Sequence, residues 1–267
     1  MLTRIISGAA LVVILGSALF FGGYYLWILS LFISVVGMRE LLLAFRTPEE
    51  REPFKPDRMD MVGLIMAGGY YILIFDHAEE RTFFYFIVAA LIAGMCVFVA
   101  SYPKFSSLRF ITTYFGFIYV AVMLSFIYLT RSSENGLYTV WLIFITSWVC
   151  DTCAYFSGVA LGKHKLAPVL SPKKSVEGAV GGVIGSALVG YIYGRIIGNF
   201  AVSFCVISAA GAVLSQFGDL FASAIKRNHD IKDYGRLIPG HGGILDRFDS
   251  VIVTAPVIYI LSQYLIK

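Results

Sequence analysis

Long runs of apolar residues, separated by short polar segments, limit the folds open to this chain more than any other feature. A transmembrane helix needs about 20 mostly apolar residues, and the sequence holds nine runs that approach this length. Of the 267 residues, 58% are hydrophobic and only 14% are charged, too few to cover a soluble domain. The pattern predicts an all-α fold, a polytopic integral membrane protein with about nine transmembrane helices.

The predicted spans lie near residues 5–21, 24–45, 60–75, 83–101, 110–130, 138–161, 177–197, 200–217 and 248–266. We do not interpret the first span as a cleaved signal peptide, because a second apolar span follows at once. We predict three regions along the chain. These are residues 1–82 with helices 1–3, residues 83–137 with helices 4–5, and residues 138–267 with catalytic helices 6–9 and a cytoplasmic signature loop.

The basic residues predict the orientation in the membrane. Sixteen of the 21 Lys and Arg residues fall on one side when loops are assigned to alternate sides, and Arg39 falls inside a span. The other side receives only Arg81, Arg131, Arg195 and Lys267. Cytoplasmic loops are rich in Lys and Arg. We therefore predict a cytoplasmic N-terminus, an outside C-terminus and an active site facing the cytoplasm, and the compact loops suit a bacterial plasma (inner) membrane.

Carboxylates concentrate at the ends of the last two predicted spans. Asp219 and Ser223 are four residues apart, and Asp246 and Asp249 are three apart, so each pair shares one helix face. A carboxylate at the centre of a membrane helix costs ~2.5–3.5 kcal/mol on insertion scales, so Asp219 and Asp246 call for a nearby positive charge. A divalent metal ion would provide it. The alternative for this spacing is a solvated loop with helix-capping aspartates.

The segment between Asp219 and Asp249 also has basic residues and glycines. Lys226 and Arg227 precede the run Pro239-Gly-His241-Gly242-Gly243. Glycines let the backbone approach a ligand closely, and their N–H groups can meet phosphate oxygens. Hard oxygen ligands beside cations suit a magnesium ion that holds a polyphosphate.

A second polar cluster begins inside the sixth predicted span. Asp151 lies about thirteen residues into that helix, and the following loop contains Pro172, Lys173 and Lys174. Two adjacent lysines on a turn fixed by proline can clamp a triphosphate or a lipid headgroup. For Lys163 and Lys165, ordinary positive charge on the cytoplasmic side is an equally good explanation.

Two other patterns predict packing and no chemistry. Cys150 and Cys153 form a C-x-x-C, but no second ligand pair exists to complete a zinc site, so we interpret them as structural thiols. The seventh span has small residues at every fourth position, which lets another helix approach closely. These residues are Gly178, Gly182, Ser186, Gly190, Gly194 and Gly198.

The polar positions together resemble a known enzyme family. The run from Ser223-Ala-Ile-Lys226-Arg227 through Lys232-Asp233 and Pro239-Gly-His241-Gly242-Gly243 to Asp246-Arg247-Phe-Asp249 is similar to the signature of phosphatidate cytidylyltransferases (CDP-diglyceride synthases). Three upstream segments resemble the same family, namely Asp151-x-x-Ala154-Tyr155-x-x-Gly158, Gly162-Lys163 and Ser171-Pro172-Lys173-Lys174-Ser175-x-Glu177-Gly178. The resemblance covers roughly the C-terminal half of the chain.

The resemblance implies that CTP and phosphatidic acid, a lipid of the bilayer, react at the cytoplasmic membrane face to give CDP-diacylglycerol and pyrophosphate, for phospholipid biosynthesis. It implies Mg²⁺ as the cofactor, with a second, monovalent cation such as K⁺, and a homodimer; no nucleic acid partner is expected. Carried over by position, the catalytic residues are Asp219, Asp246, His241, Lys226 and Arg227, and the metal ligands are Asp219, Asp246 and Asp249. The substrate-binding residues are Ser223, Lys173, Lys174, Gly242, Gly243, Arg247, Asp151 and Glu177.

Three other functions share some of these features. A CTP-dependent lipid or polyprenol kinase also needs metal and basic residues at the membrane, but attacks a different phosphorus atom. A CDP-alcohol phosphotransferase has aspartates in membrane helices, but this sequence lacks the Asp-Gly-x-x-Ala-Arg opening of that family. An ion-coupled transporter is the non-enzyme alternative. We see no repeat linking the two halves of this chain.

Overall fold

The fold is built from helices that cross the membrane repeatedly. A computed structural model describes residues 2–47, 51, 56–198, 200–240 and 242–266. Nine helices and one short β-hairpin make up the described residues, so the predicted all-α class is confirmed. The helices are α1 (Leu2–Phe21), α2 (Gly23–Ala44), α3 (Arg58–Phe75), α4 (Glu80–Ala100), α5 (Ser107–Ser132), α6 (Gly136–Leu161), α7 (Val176–Ile197), α8 (Ala201–Asn228) and α9 (Leu245–Leu265).

Length and composition show which of these helices can cross a membrane. Eight of them, α2 to α9, are long and apolar enough to cross a bilayer, and the apolar part of α1 described in full is the shorter Ile6–Phe21. The sides of these helices carry many exposed apolar residues, as expected for surfaces that face lipid. The chain is therefore an integral membrane protein.

One predicted boundary was wrong. The eighth span was expected to end near residue 217, but α8 continues as one helix of 28 residues to Asn228. Asp219, Lys226 and Arg227 are therefore helical and do not belong to a loop. Their polarity lowers the hydropathy, which marks the end of the apolar stretch but leaves the helix unbroken.

The loop after α6 also differs from the expected turn. Lys165–Ala167 (β1) pairs antiparallel with Ser171–Ser175 (β2), so Pro172, Lys173 and Lys174 lie on a strand. Successive side chains of a strand point to opposite faces. Accordingly Lys173 is exposed and Lys174 is half-buried. Ser175 ends the hairpin and caps α7, because its hydroxyl accepts a hydrogen bond from the Gly178 N–H at 3.1 Å.

The C-terminal helices pack closely on one another. Helix α7 lies against α6 and α8, and α9 lies against α8, α6 and the second half of α5. The small residues predicted to form a packing stripe on α7 are buried from Gly178 to Gly194, which confirms that interpretation for the helix itself. Gly198 follows the helix as its C-cap. Within α5, residues Phe117–Val122 form a π-helical segment, which widens the turn at that point.

A charge cluster ties together the ends of α2, α3 and α5. Asp57 caps α3 in a reciprocal arrangement with Asp60, and Arg46 and Arg109 each pair with both aspartates. We call Arg46, Asp57, Asp60 and Arg109 the N-terminal charge cluster. Its two positive and two negative charges balance. Residues 48–50 and 52–55 of the loop that leads into α3 lie outside the described residues.

Candidate active site

An ion pair joins the two polar clusters that the sequence places apart. Lys174 on β2 contacts the Asp219 carboxylate on α8. Both side chains are about three-quarters buried, with 29% and 25% of their surface exposed. The upstream segment after α6 therefore meets the polar C-terminal part of α8 at one place.

Asp246 is held firmly at the start of α9. Its Oδ2 accepts hydrogen bonds from the N–H groups of Tyr234 at 2.8 Å and Gly243 at 3.0 Å. Its Oδ1 contacts Lys226 Nζ at 3.0 Å, and the side chain is only 3% exposed. Lys226 Nζ also lies 3.8 Å from Asp249, so one ammonium group connects the two carboxylates of the D-x-x-D pair. The sequence correctly places both aspartates of this pair on one helix face.

Asp219, Asp249 and Asp151 also interact with one another. The Asp219 carboxylate is electrostatically coupled to both other aspartates, and Asp249 is coupled to Asp151. The cationic partners within this set are Lys174, Lys226 and, toward Asp151, the exposed Arg247. We call Asp151, Asp219, Asp246 and Asp249, with Lys174 and Lys226, the acid-rich cluster. Its four carboxylates outnumber its two lysines.

A cavity of about 560 Å³ opens beside the acid-rich cluster. Its lining combines the β-hairpin with α6, α7 and α8, and includes Asp151, Lys165, Lys173 and Lys174. We call it the hairpin cavity. Three lysines and one aspartate line it, so it favours an anion with several charges.

Glu177 acts on the same loop from the first turn of α7. Its carboxylate accepts the backbone N–H groups of Lys163 at 3.0 Å and His164 at 3.2 Å, and its Oε1 lies 2.6 Å from His164 Nδ1. Glu177 therefore holds the turn that leads into the hairpin. Substrate contact by this residue stays a prediction.

The glycines of the signature loop fit against buried carboxylates. Gly242 has a φ of +87°, a region that suits glycine. A Cβ on Gly243 would lie 2.5 Å from both carboxylate oxygens of Glu40. In this structure the Gly243 N–H binds Asp246, where the sequence predicted a contact with phosphate.

Glu40 was missed by sequence reasoning. It lies on α2 and is 3% exposed, yet its oxygens accept the N–H groups of Ile244 at 3.1 Å and Leu245 at 2.8 Å. A carboxylate on the first N–H groups of a helix satisfies unpaired donors and interacts favourably with the helix dipole. The signal available was a lone Glu beside Arg39 within an apolar span, but its partner lies about 200 residues away.

Tyr119 was also missed. It lies in the π-helical segment of α5 and is 7% exposed, and its hydroxyl has no hydrogen-bond partner among the described residues. The Asp219 and Asp249 carboxylates lie within electrostatic range of the hydroxyl. The ring stacks on Phe115 and meets the edge of Phe221. A buried hydroxyl without a partner is costly unless a ligand completes it.

The remaining predicted residues lie around this centre. Ser223 is half-buried on α8, and Arg227 and Arg247 are exposed at the facing ends of α8 and α9. His241 lies outside the described residues. Burial raises the pKa of Tyr234 above its usual value, so its hydroxyl stays protonated and donates to the Ala222 carbonyl at 3.0 Å.

The side chains of the acid-rich cluster are chemically suited to bind a hard divalent cation. Among the described residues, no three His, Cys, Asp or Glu side chains are already arranged around a common point for a metal. However, carboxylate oxygens are the ligands that Mg²⁺ prefers, and the acid-rich cluster has carboxylates in excess over its lysines. Asp246 already has both oxygens engaged, which leaves Asp219, Asp249 and Asp151 as the more available donors.

Comparisons with known proteins agree with the resemblance seen in the motifs. The sequence model described as the cytidylyltransferase family matches residues 2–265. A phosphatidate cytidylyltransferase of Staphylococcus aureus (strain COL) is 33% identical over 254 residues, 90% of each chain. One of Rickettsia typhi is 33% identical over 229 residues, which is 82% of this chain and 99% of that relative. With nearly its whole length matched, the chain belongs to the cytidylyltransferase family.

Proposed function

We propose that this chain is a phosphatidate cytidylyltransferase, a nucleotidyltransferase that joins CTP to phosphatidic acid. The products are CDP-diacylglycerol and pyrophosphate. The observation that carries the proposal is the Lys174–Asp219 contact, which joins the two polar blocks of the sequence at one cavity. Family membership supports the reaction type, and the relatives named above are phosphatidate cytidylyltransferases.

The reaction is a single displacement at phosphorus. An oxygen of the phosphatidate phosphate forms a bond to the α-phosphorus of CTP, the bond from that phosphorus to the bridging oxygen breaks, and pyrophosphate leaves. A phosphate monoester is already nucleophilic near neutral pH, so no strong base is needed. His241 then needs only to position phosphate. The main barrier is the repulsion between two anions, which positioning and charge neutralisation overcome.

The lysines of the hairpin cavity carry out this neutralisation for the nucleotide. Lys165, Lys173 and Lys174 line one face of the cavity and offer three positive charges to a triphosphate. Lys226 is held between Asp246 and Asp249. From this position Lys226, together with Arg227, would stabilise the negative charge that develops on the leaving pyrophosphate. The unpartnered Tyr119 hydroxyl supplies one further hydrogen bond at the acid-rich cluster.

The acid-rich cluster is the proposed cofactor site. Asp219 and Asp249 are the more available ligands for Mg²⁺, and Asp246 would join them by releasing Lys226. A second, monovalent cation such as K⁺ would bind at the same centre. A bound Mg²⁺ supplies Lewis-acid stabilisation of phosphoryl oxygens. Without a cation, the excess carboxylates would repel one another and the anionic substrates. This excess of negative charge favours binding of a cation.

The orientation and assembly belong to the same proposal. The hairpin, the C-terminal end of α8 and the N-terminal end of α9 carry most of the basic residues of the C-terminal half. The excess of Lys and Arg puts this side, with the active site and the N-terminus, in the cytoplasm of a bacterial plasma (inner) membrane, and the C-terminus outside. The functional unit is a homodimer.

A labelling assay tests the function. Purified full-length protein is incubated with phosphatidic acid and CTP labelled at the α- or γ-phosphorus, with and without Mg²⁺, and with each other NTP in turn. We expect a CDP-lipid carrying only the α label, formed with CTP and Mg²⁺. Transfer of the γ label to lipid would instead identify a CTP-dependent kinase. The absence of any labelled lipid, together with ion flux in proteoliposomes, would identify the transporter.

A further inference from the structure

A second polar cavity lies on the other side of the signature loop. It measures about 620 Å³ and is lined by the C-terminal end of α2, Arg51 and residues 231–237 of the loop after α8. Four cationic side chains and two carboxylates line this cavity. These residues are Arg39, Arg51, Lys232 and Arg236, with Glu40 and Asp233. We call it the basic cavity. Because Glu40 already binds two N–H groups of α9, the cationic side chains dominate what a ligand meets.

An apolar groove of about 280 Å³ adjoins the basic cavity. Its walls come from α1, α2, residues 237–239 of the same loop and the first turn of α9. Leu11, Ile14, Phe32 and Phe248 are among the residues that line it, and Ile14 and Phe32 are about half exposed. The groove therefore lies open along helices that cross the membrane, where hydrocarbon is the surrounding solvent.

One residue belongs to both spaces. Leu237 lines the basic cavity and the apolar groove, and 54% of its surface is exposed. The loop on one side of Leu237 faces cations, and the loop on the other side faces apolar helices. The two spaces together match a molecule with an anionic head and a hydrocarbon tail, bent over Leu237.

The basic cavity also adjoins the acid-rich cluster. Tyr234 lines the cavity, donates its N–H to Asp246 and lies beneath the Lys226 ammonium, which is 5.2 Å from the ring centre. The hairpin cavity, by contrast, shares no lining residue with either space. Two anionic substrates would therefore reach the acid-rich cluster through separate entrances. Separate approach suits a displacement in which the entering and leaving oxygens lie on opposite sides of phosphorus.

We infer that the basic cavity and the apolar groove together bind phosphatidic acid. The phosphate monoester lies among Arg39, Arg51, Lys232 and Arg236, and an acyl chain lies in the groove past Leu237. This inference rests on the proposed function, whose lipid substrate it places. Arginine presents a fork of N–H donors to phosphate oxygens, and lysine adds a compact charge, so the set fits a doubly charged headgroup.

The headgroup half is tested by steady-state kinetics of the full-length enzyme in mixed micelles. The double variant Lys232→Ala/Arg236→Ala removes two exposed cations from the cavity, and each charged contact is worth enough to raise KM for phosphatidic acid about 10-fold or more. KM for CTP is expected to stay unchanged. Arg236→Lys keeps the charge but loses the fork of N–H donors, so it is expected to raise KM for phosphatidic acid less than the double variant does. Arg81→Ala/Lys104→Ala, which removes two cations that line none of these cavities, is the matched control and is expected to change neither constant.

The placement of the acyl chain in the apolar groove is tested by filling the groove with a larger side chain. Ile14→Trp occupies the apolar groove and is expected to raise KM for dioleoyl phosphatidic acid more than KM for the dihexanoyl form, whose chains are too short to depend on the groove. Val88→Trp, at an exposed position on α4 outside the groove, is the matched control. Equal effects on both lipids, or equal effects of both tryptophans, would overturn the placement of the acyl chain.

A binding measurement separates this inference from the proposed function. Phosphatidic acid with a diazirine in its acyl chain is photolysed on the wild-type protein without CTP, and labelled peptides are mapped. We expect label within residues 10–33 and 237–248, reduced by excess phosphatidic acid but not by phosphatidylglycerol. Equal competition by phosphatidylglycerol would show a general anionic-lipid surface, and label on α6 and α7 would place the lipid in the hairpin cavity. Either result contradicts the inference even if the enzyme is active, whereas a correctly mapped label on an inactive enzyme would count against the reaction alone.

Discussion

Two clusters of buried or half-buried charge within the described residues differ in their balance. In the N-terminal charge cluster, Asp57 and Asp60 each pair with both Arg46 and Arg109. In the acid-rich cluster, four aspartates share Lys174 and Lys226. The first arrangement neutralises its own charge and fastens three helix ends together. The second leaves an excess of negative charge, which a bound cation would offset.

This difference explains why similar residue types have different roles. A buried carboxylate with two arginines needs nothing more, so removing it should harm folding more than chemistry. A carboxylate in a set with excess negative charge would bind a cation at the expense of stability. Removing it should therefore lower the catalytic rate more than the folding free energy. The comparison is therefore open to mutation of single residues in each cluster.

The largest effect is expected from Asp60→Asn in the N-terminal charge cluster. The Asp60 side chain is 1% exposed, and its loss leaves two arginines short of a partner, which should cost about 3–5 kcal/mol of folding free energy. Thermal unfolding in detergent measures this cost, and turnover per folded molecule should stay near wild type. Glu79→Gln breaks an exposed ion pair with Arg81 and serves as the control with little effect. Normal stability of Asp60→Asn would remove the contrast between the clusters.

The second effect is expected from Asp219→Asn in the acid-rich cluster. Removing one preorganised electrostatic group should lower kcat/KM by at least ~100-fold. The unfolding temperature should change little, because the substitution also relieves repulsion with Asp151 and Asp249. Asp230→Asn, at an exposed position just beyond α8, is the matched control. A fully active Asp219→Asn enzyme would contradict the proposed cation site.

A smaller effect is expected from Lys174→Met, which keeps the length of the side chain and removes its charge. The substitution takes one of three cations from the hairpin cavity, so KM for CTP should rise about 10-fold. KM for phosphatidic acid should stay the same, and Lys174→Arg should recover most of the affinity for CTP. A selective rise in KM for phosphatidic acid would exchange the roles of the two polar cavities.

The smallest effect is expected from Tyr119→Phe. The hydroxyl has no partner among the described residues, so its loss should leave stability unchanged or slightly higher. If the hydroxyl meets substrate, the loss of one hydrogen bond should lower kcat/KM roughly 5-fold. Measuring unfolding temperature and kcat/KM together separates the two roles. Lower stability with unchanged kinetics would make Tyr119 a packing residue.

Local patterns predicted most of the fold because apolar length is written directly into the sequence. The nine helices follow from that length, and the D-x-x-D face of Asp246 and Asp249 follows from helical spacing. The end of α8 does not follow from apolar length, because Asp219 and Lys226 lower the hydropathy while the helix continues through them. The bonds of Glu40 to the start of α9 and the contact of Tyr119 with Phe221 join residues distant in sequence, which no local pattern reports.

The reach of Glu40 from α2 to the first N–H groups of α9 binds the two halves of the chain into one cooperative unit. A fragment starting at residue 138 would contain every aspartate of the acid-rich cluster, yet it would lack the side chain that anchors the helix bearing Asp246 and Asp249. Helix α2 thus serves as part of the scaffold of the active site, and a change at Glu40 can lower activity without removing a contact to substrate.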